Sequence, residues 1–103
     1  MPQVVEAPNS VTVRSAREFI AGVQDVCASG EDVLMDCTAL GEVDLSFLQI
    51  VIAARAQLED AGASLRLAAP AGEALTALLD RAGFLTALTP ADLDFWFHGE
   101  RPQ

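Results

Sequence analysis

Hydrophobic positions along this chain alternate between short β-prone runs and longer stretches with a helical period. Gln3 to Glu6 is a brief strand closed by the turn signal Ala7-Pro8-Asn9, and Val11-Thr12-Val13 is a second. The two are expected to pair as a small antiparallel edge. Ser15, with Glu18 three positions later, has the spacing of a capping box. The helix it predicts carries Ala16, Phe19, Ile20, Val23 and Cys27 inward, and Arg17, Glu18, Gln24 and Asp25 outward. Ser29-Gly30 stops it.

Val33 to Cys37 is apolar until its end, as in a central strand covered on at least one face. A polar connection from Thr38 to Val43, containing Gly41, leads to a predicted helix over Phe47 to Ala61. Its inner stripe is Leu48, Val51, Ile52 and Leu58, and Gly62 ends it. From Ser64 to Ala69 the pattern alternates, with Leu65 and Leu67 on one face. Pro70 is expected to open a third helix, with Leu75, Leu78, Leu79 and Ala82 inside and Gly83 as its stop. Thr89 and Pro90 are a cap and first position for a last helix, over about residues 90–98, that packs Leu93, Phe95, Trp96 and Phe97 on the body.

The order β-β-α-β-α-β-α-α implies an α/β fold with parallel pairing through right-handed crossovers. Such folds place their sites beyond the carboxyl ends of strands. For the strand ending at Cys37, that location is the turn Asp44-Leu45-Ser46.

Composition narrows the function. With 103 residues the chain has room for one core. The longest apolar run, Phe47-Leu48 and then Ile50 to Ala54, is interrupted by Gln49 and stopped by Arg55, far short of a membrane span. Met1-Pro2-Gln3 begins no secretory signal, so a cytoplasmic location is expected. Fifteen acidic residues against six basic ones give a formal charge of −9, which opposes binding to nucleic acid or anionic membranes and leaves a protein partner or a cationic surface. Cys27 and Cys37 form no C-x-x-C motif and are read as reduced, buried thiols.

Ser46 has two readings. With Gln49 it has the spacing of a capping box, worth about 1 kcal/mol as a helix cap. As a phosphorylation site, it would carry a phosphate at a helix start but beside Asp44, altering a docking surface by charge. Neither reading excludes the other. A catalytic Ser46 lacks a G-x-S-x-G elbow, and the only imidazole, His98, lies in the tail. Asp44 and Asp36 have no His or Cys at ligand spacing, so no metal is expected, and isolated glycines make no phosphate loop or cofactor site. In Phe95-Trp96-Phe97, two rings are expected to be buried by the docked helix; an exposed Trp would instead serve a partner.

Several of these segments resemble the STAS domain family of bacterial anti-sigma-factor antagonists. The resemblance covers roughly Val11 to Gly83. It rests on Val33-Leu34-Met35-Asp36, Val43-Asp44-Leu45-Ser46, Leu58-Glu59-Asp60-Ala61-Gly62 before Leu65-Arg66-Leu67, and Leu78-Leu79-Asp80-Arg81-Ala82-Gly83-Phe84. It implies a single-domain fold over 1–103, with a mixed, mostly parallel sheet and helices mainly on one side. It also implies a non-enzymatic module whose Ser46 is phosphorylated by a GHKL-type kinase, with Asp44 as the family aspartate. The unphosphorylated form would dock a kinase, anti-sigma factor or other signalling partner through Asp44, Leu45, Ser46, Phe47 and Gln49. Leu45 and Phe47 depart from the family's small residue and glycine, and the Asp-Leu-Ser-Phe-Leu-Gln form is most similar to members beside chemotaxis or two-component proteins. Other members serve lipid-transport ABC complexes, so docking to an ABC ATPase is the alternative.

Overall fold

A computed structural model describes residues 3–100; Met1, Pro2 and residues 101–103 of the expected unit lie outside it. Three strands form one sheet in the order β1 (Gln3–Glu6), β3 (Val33–Asp36), β5 (Leu65–Leu67). A separate pair joins β2 (Ser10–Val11) to β4 (Glu42–Val43). Every pairing is parallel: Gln3 sits opposite Val33, Val33 opposite Leu65, and Ser10 opposite Glu42. The expected antiparallel β1–β2 edge is therefore wrong. Ala7-Pro8-Asn9 carries the chain out of one sheet into the other instead of folding it back, and Asn9 O accepts from Gly41 and Glu42 N–H at 2.7 and 2.9 Å.

Four helices complete the fold: α1 (Ala16–Cys27), α2 (Leu45–Asp60), α3 (Glu73–Arg81) and α4 (Pro90–Phe97), with a short 3-10 turn at Phe84–Ala87. In α1 the expected stripe is observed, with Phe19, Val23 and Cys27 buried. Its cap differs. Ser15 precedes the helix, but its Oγ accepts from Thr12 N–H at 3.1 Å and lies 3.2 Å from Ser10 O, which closes the turn instead of capping the helix. Gly30, Gly62 and Gly83 follow α1, α2 and α3 with φ of 72°, 78° and 82°, the left-handed backbone that glycine enters without a Cβ penalty.

The inner face of the large sheet presents Val33, Met35, Leu65 and Leu67, all buried, while Arg66 between the two leucines is exposed. α1 lies against β1, α2 against β5, and the two helices pack on each other. Phe47, Leu48, Val51, Ala54 and Leu58 are the buried face of α2. Ile52, expected on that stripe, is 47% exposed, and Ala54 takes the inward place.

α3 starts at Glu73, not at Pro70. The intervening backbone is held by α4, since Ala71 N–H donates to Trp96 O at 2.7 Å. In α4 the Thr89 hydroxyl caps as expected, accepting from Asp92 N–H at 3.1 Å, with Pro90 in the first position. Phe95, Trp96 and Phe97 are all buried, one ring more than expected. Phe95 and Trp96 meet edge to face at 4.7 Å, and the Arg55 guanidinium lies 4.1 Å over the Phe95 ring while facing Asp92 at 3.4 Å. No described helix is long and apolar enough to cross a membrane.

Candidate functional site

The turn at Asp44 does not follow β3 directly, as the sequence suggested, because β4 intervenes; it stands at the carboxyl end of the two-stranded pair. Asp44 is extended, with φ −130° and ψ −172°, which aims its carboxylate back over the first turn of α2. Oδ1 accepts from Ser46 N–H at 2.9 Å, so Asp44, not Ser46, caps the helix. The predicted Ser46–Gln49 capping box is therefore corrected. The helix begins at Leu45, so Ser46 lies inside it and its own N–H is the one capped, by a carboxylate that is a stronger acceptor than a hydroxyl.

The same carboxylate has a second partner. Oδ2 accepts from Val13 N–H at 2.9 Å, and Asp44 N–H donates to Val11 O at 3.3 Å. One side chain thus joins the turn before α1 to the first turn of α2. The Ser46 hydroxyl and then the Val13 N–H hold the Asp44 carboxyl below the usual carboxylate range, with burial opposing them and the Ser46 N–H adding least. Ser46 is half-buried in the second position of α2. Among the described residues its hydroxyl makes no direct bond to Gln49, whose side chain is exposed.

Around this turn the surface is apolar. Val13 is 76% exposed and Leu45 56%. Leu45, Gln49, Ile52 and Ala56 are all exposed and follow one another by four, three and four positions, a single stripe along α2. No charge interrupts it. The first charged residue of the helix, Arg55, is half-buried and engaged with Asp92 and Phe95. Beside the stripe, a groove of about 470 Å³ runs between α1 and α2, lined by Ala16, Ile20, Ser46, Ile50, Ala53 and Gln57 among others. Phe47, expected at the partner surface, is 0% exposed; its ring stacks on Phe19 with centroids 5.6 Å apart. It sets the angle of α2 from inside the core and offers no ring at the surface.

Of the residues singled out from the sequence, the turn brings together Asp44, Leu45, Ser46 and Gln49 and sends Phe47 inward. Val13 and Ile52 were not singled out for the surface. The available signal was that α2 is apolar around much of its circumference, more than one buried face uses. Asp36, weighed as a metal or acid partner of Asp44, instead accepts from Thr38 N–H and Oγ1 at 3.0 and 2.7 Å, which holds its carboxyl low.

The remaining reactive groups are bound up elsewhere. His98 Nε2 lies 3.0 Å from Leu67 O at the edge of β5, placing the imidazole on strand backbone. A cavity of about 660 Å³ beyond the ends of β3 and β5 is lined by Cys37, Thr38, Gly72 and Glu73. Burial and the neighbouring Asp36 charge push the Cys37 thiol up to about 12, so it stays protonated and is a poor nucleophile at neutral pH. Cys27 is also a free thiol, buried and raised by that burial. Among the described residues no three His, Cys, Asp or Glu side chains converge as metal ligands. The turn presents a hydroxyl and a carboxylate next to the exposed apolar side chains of Val13 and Leu45.

Among protein families, the one described as "Mlab, STAS domain" has a model that matches residues 2–90 of the chain. No curated protein and no solved structure matches it.

Proposed function

The chain belongs to the STAS domain family, and from that premise we propose that it is a non-enzymatic regulatory module that docks a signalling protein through the α1–α2 face and is switched at Ser46. The observation that carries this reading is a coincidence of position. The half-buried Ser46 lines the groove, follows Leu45 and is joined through the Asp44 carboxylate to Val13; Leu45 and Val13 are two of the most exposed large apolar side chains of the described residues. An apolar patch around a single carboxylate, on a chain of net charge −9, is a protein-binding feature. Asp44, Leu45, Ser46 and Gln49 are its centre, and Phe47 supports it from below.

The partner in this reading is a GHKL-type kinase or anti-sigma factor in the cytoplasm, bound by the unphosphorylated form. A phosphate on Ser46 adds about −1.5 to −2 of charge beside the Asp44 carboxylate on an otherwise apolar surface, and docking weakens. The test is incubation with a GHKL-type kinase of the same genome and nucleoside triphosphate. One phosphate is expected by mass, lost in Ser46→Ala; uptake elsewhere, or none, would defeat the switch.

A second reading, a subunit docked permanently on an ABC ATPase, is favoured by the stripe itself. Leu45, Ile52 and Ala56 resemble the apolar cores of lasting interfaces more than those of transient ones. Co-purification with an ATPase in constant ratio, unaffected by Ser46→Asp, would support it over the first.

A further inference from the structure

We infer that Asp44 is a positioning residue for the docking surface, a clamp holding its two halves together, and that a phosphate on Ser46 acts by opening that clamp. The inference rests on the switch reading of Ser46 and adds how the charge would be transmitted.

The surface around Ser46 comes from two segments distant in sequence. Val13 belongs to the turn between β2 and α1, and Leu45 to the first turn of α2. β2 and β4 place the segments side by side, but their ladder is only two residues long on each strand. Past its end, the remaining ties are Asp44 N–H to Val11 O at 3.3 Å and the two carboxylate bonds at 2.9 Å, to Val13 N–H and Ser46 N–H. Both carboxylate oxygens are committed, one to each segment. The Val13 side chain is 76% exposed, so little packing fixes it once its N–H is released.

Phosphoryl transfer breaks the terminal P–O bond of a nucleoside triphosphate and forms a bond from phosphorus to Ser46 Oγ. The nucleoside diphosphate leaves, and the hydroxyl proton goes to solvent or base. The residue whose N–H is bonded to Asp44 Oδ1 at 2.9 Å thereby carries a dianion in place of its hydroxyl. Like charges at this range repel, and the phosphate oxygens compete for the Ser46 N–H that Oδ1 had accepted. The carboxylate turns away, Val13 N–H loses its acceptor, and the turn carrying Val13 is freed from α2. A partner that never touches the phosphate would still find half of its surface displaced.

The experiment needs no kinase or partner. Phosphoserine is installed at position 46 by genetic encoding or chemical ligation, and amide hydrogen exchange is measured by NMR. Val13 N–H is expected to exchange about tenfold faster than in the unmodified chain, with the core amide of Leu58 unchanged. Asp44→Ala should reproduce this acceleration without phosphate. Asp44→Asn, which keeps one acceptor oxygen and loses the charge, should make Val13 exchange nearly insensitive to the phosphate. Unchanged or slower Val13 exchange in the phosphoserine protein overturns the clamp, for example if Arg14 or Arg17 held the phosphate in place. Should Asp44→Ala not fold, the phosphoserine protein and Asp44→Asn decide the matter together. Failure of every kinase to modify Ser46 would defeat the switch reading, while this measurement would still report whether Asp44 joins the segments.

Discussion

Two helices, α2 in the middle of the chain and α4 near its end, use their apolar residues in opposite ways. α4 is eight residues long, carries three consecutive aromatic rings and buries all of them. Its outer needs are met locally, by the Thr89 cap and by Arg55 lying on Phe95 and facing Asp92. α2 is twice as long, buries five apolar residues and leaves Leu45 and Ile52 at the surface, with no charge between them. The aromatic cluster, two of whose rings were expected to be buried, is core in all three, whereas Ile52, expected on the inner stripe, lies outside beside Leu45. Exposure was decided by what the sheet could cover, and the three-stranded sheet has one inner face for α1 and α2 to share.

The strongest way to break this contrast is truncation of the rings. Trp96→Ala and Phe47→Ala should each cost about 3–5 kcal/mol in urea unfolding, since both side chains are fully buried and leave cavities. A loss below about 1 kcal/mol at Trp96 would mean that α4 is not part of the core. Next comes the clamp: Asp44→Ala should cost about 1 kcal/mol as a lost cap, with Ser46→Ala costing much less. Because the folded-state pKa of Asp44 is lowered, its contribution is complete above the unfolded value and is lost as pH falls through the folded one. The stability gap between the wild-type chain and Asp44→Asn should therefore be constant from about pH 7 to 5 and close below about pH 4. Its size should fall with added salt, because the carboxylate is only partly covered.

Arg55→Ala follows, at about 1 kcal/mol, from the lost cation–π contact and the ion pair with Asp92. The smallest change in stability belongs to the stripe. Leu45→Ser and Ile52→Ser should stay within about 0.5 kcal/mol of wild type by urea unfolding. On the docking reading they should also reduce retention of the partner in a pull-down, so stability and binding separate at these positions and nowhere in α4.

Much of the architecture was legible where local pattern and tertiary demand agree. Phe19, Val23 and Cys27 keep a helical period because α1 has one covered face, and Leu65-Arg66-Leu67 alternates because β5 does too. Glycines at left-handed positions and the Thr89-Pro90 start are chemistry of the backbone itself, readable without neighbours. The failures have a common cause: a partner far along the chain. Ser15 and Ser46 both had capping-box spacing, but Ser15 was taken by its own turn and Ser46 was pre-empted by a carboxylate also held by Val13. Pro70 had the look of a helix start until Trp96 O fixed the backbone after it. Ile52 and Ala54 could not be sorted by period, because an all-round apolar helix does not announce which face is covered. Of the site, Asp44 and Ser46 were legible as a motif, whereas Val13 entered it only through a bond across 31 positions.

The all-parallel pairing bears on how this chain reaches its structure. Gln3 must find Val33, and Val33 must find Leu65, with a helix formed in each interval. Among the described residues there is no hairpin from which a sheet could zip, so each strand contact closes a loop of about thirty residues before it is rewarded. Helices are then the early structure and the sheet the late one. Nucleation is then expected at α1 and α2, which pack on each other, an order that φ-values at their contact would test. Under that order, Phe19 and Phe47, stacked where the two helices meet, would govern the folding rate, and the β1 contacts would govern chiefly the rate of unfolding.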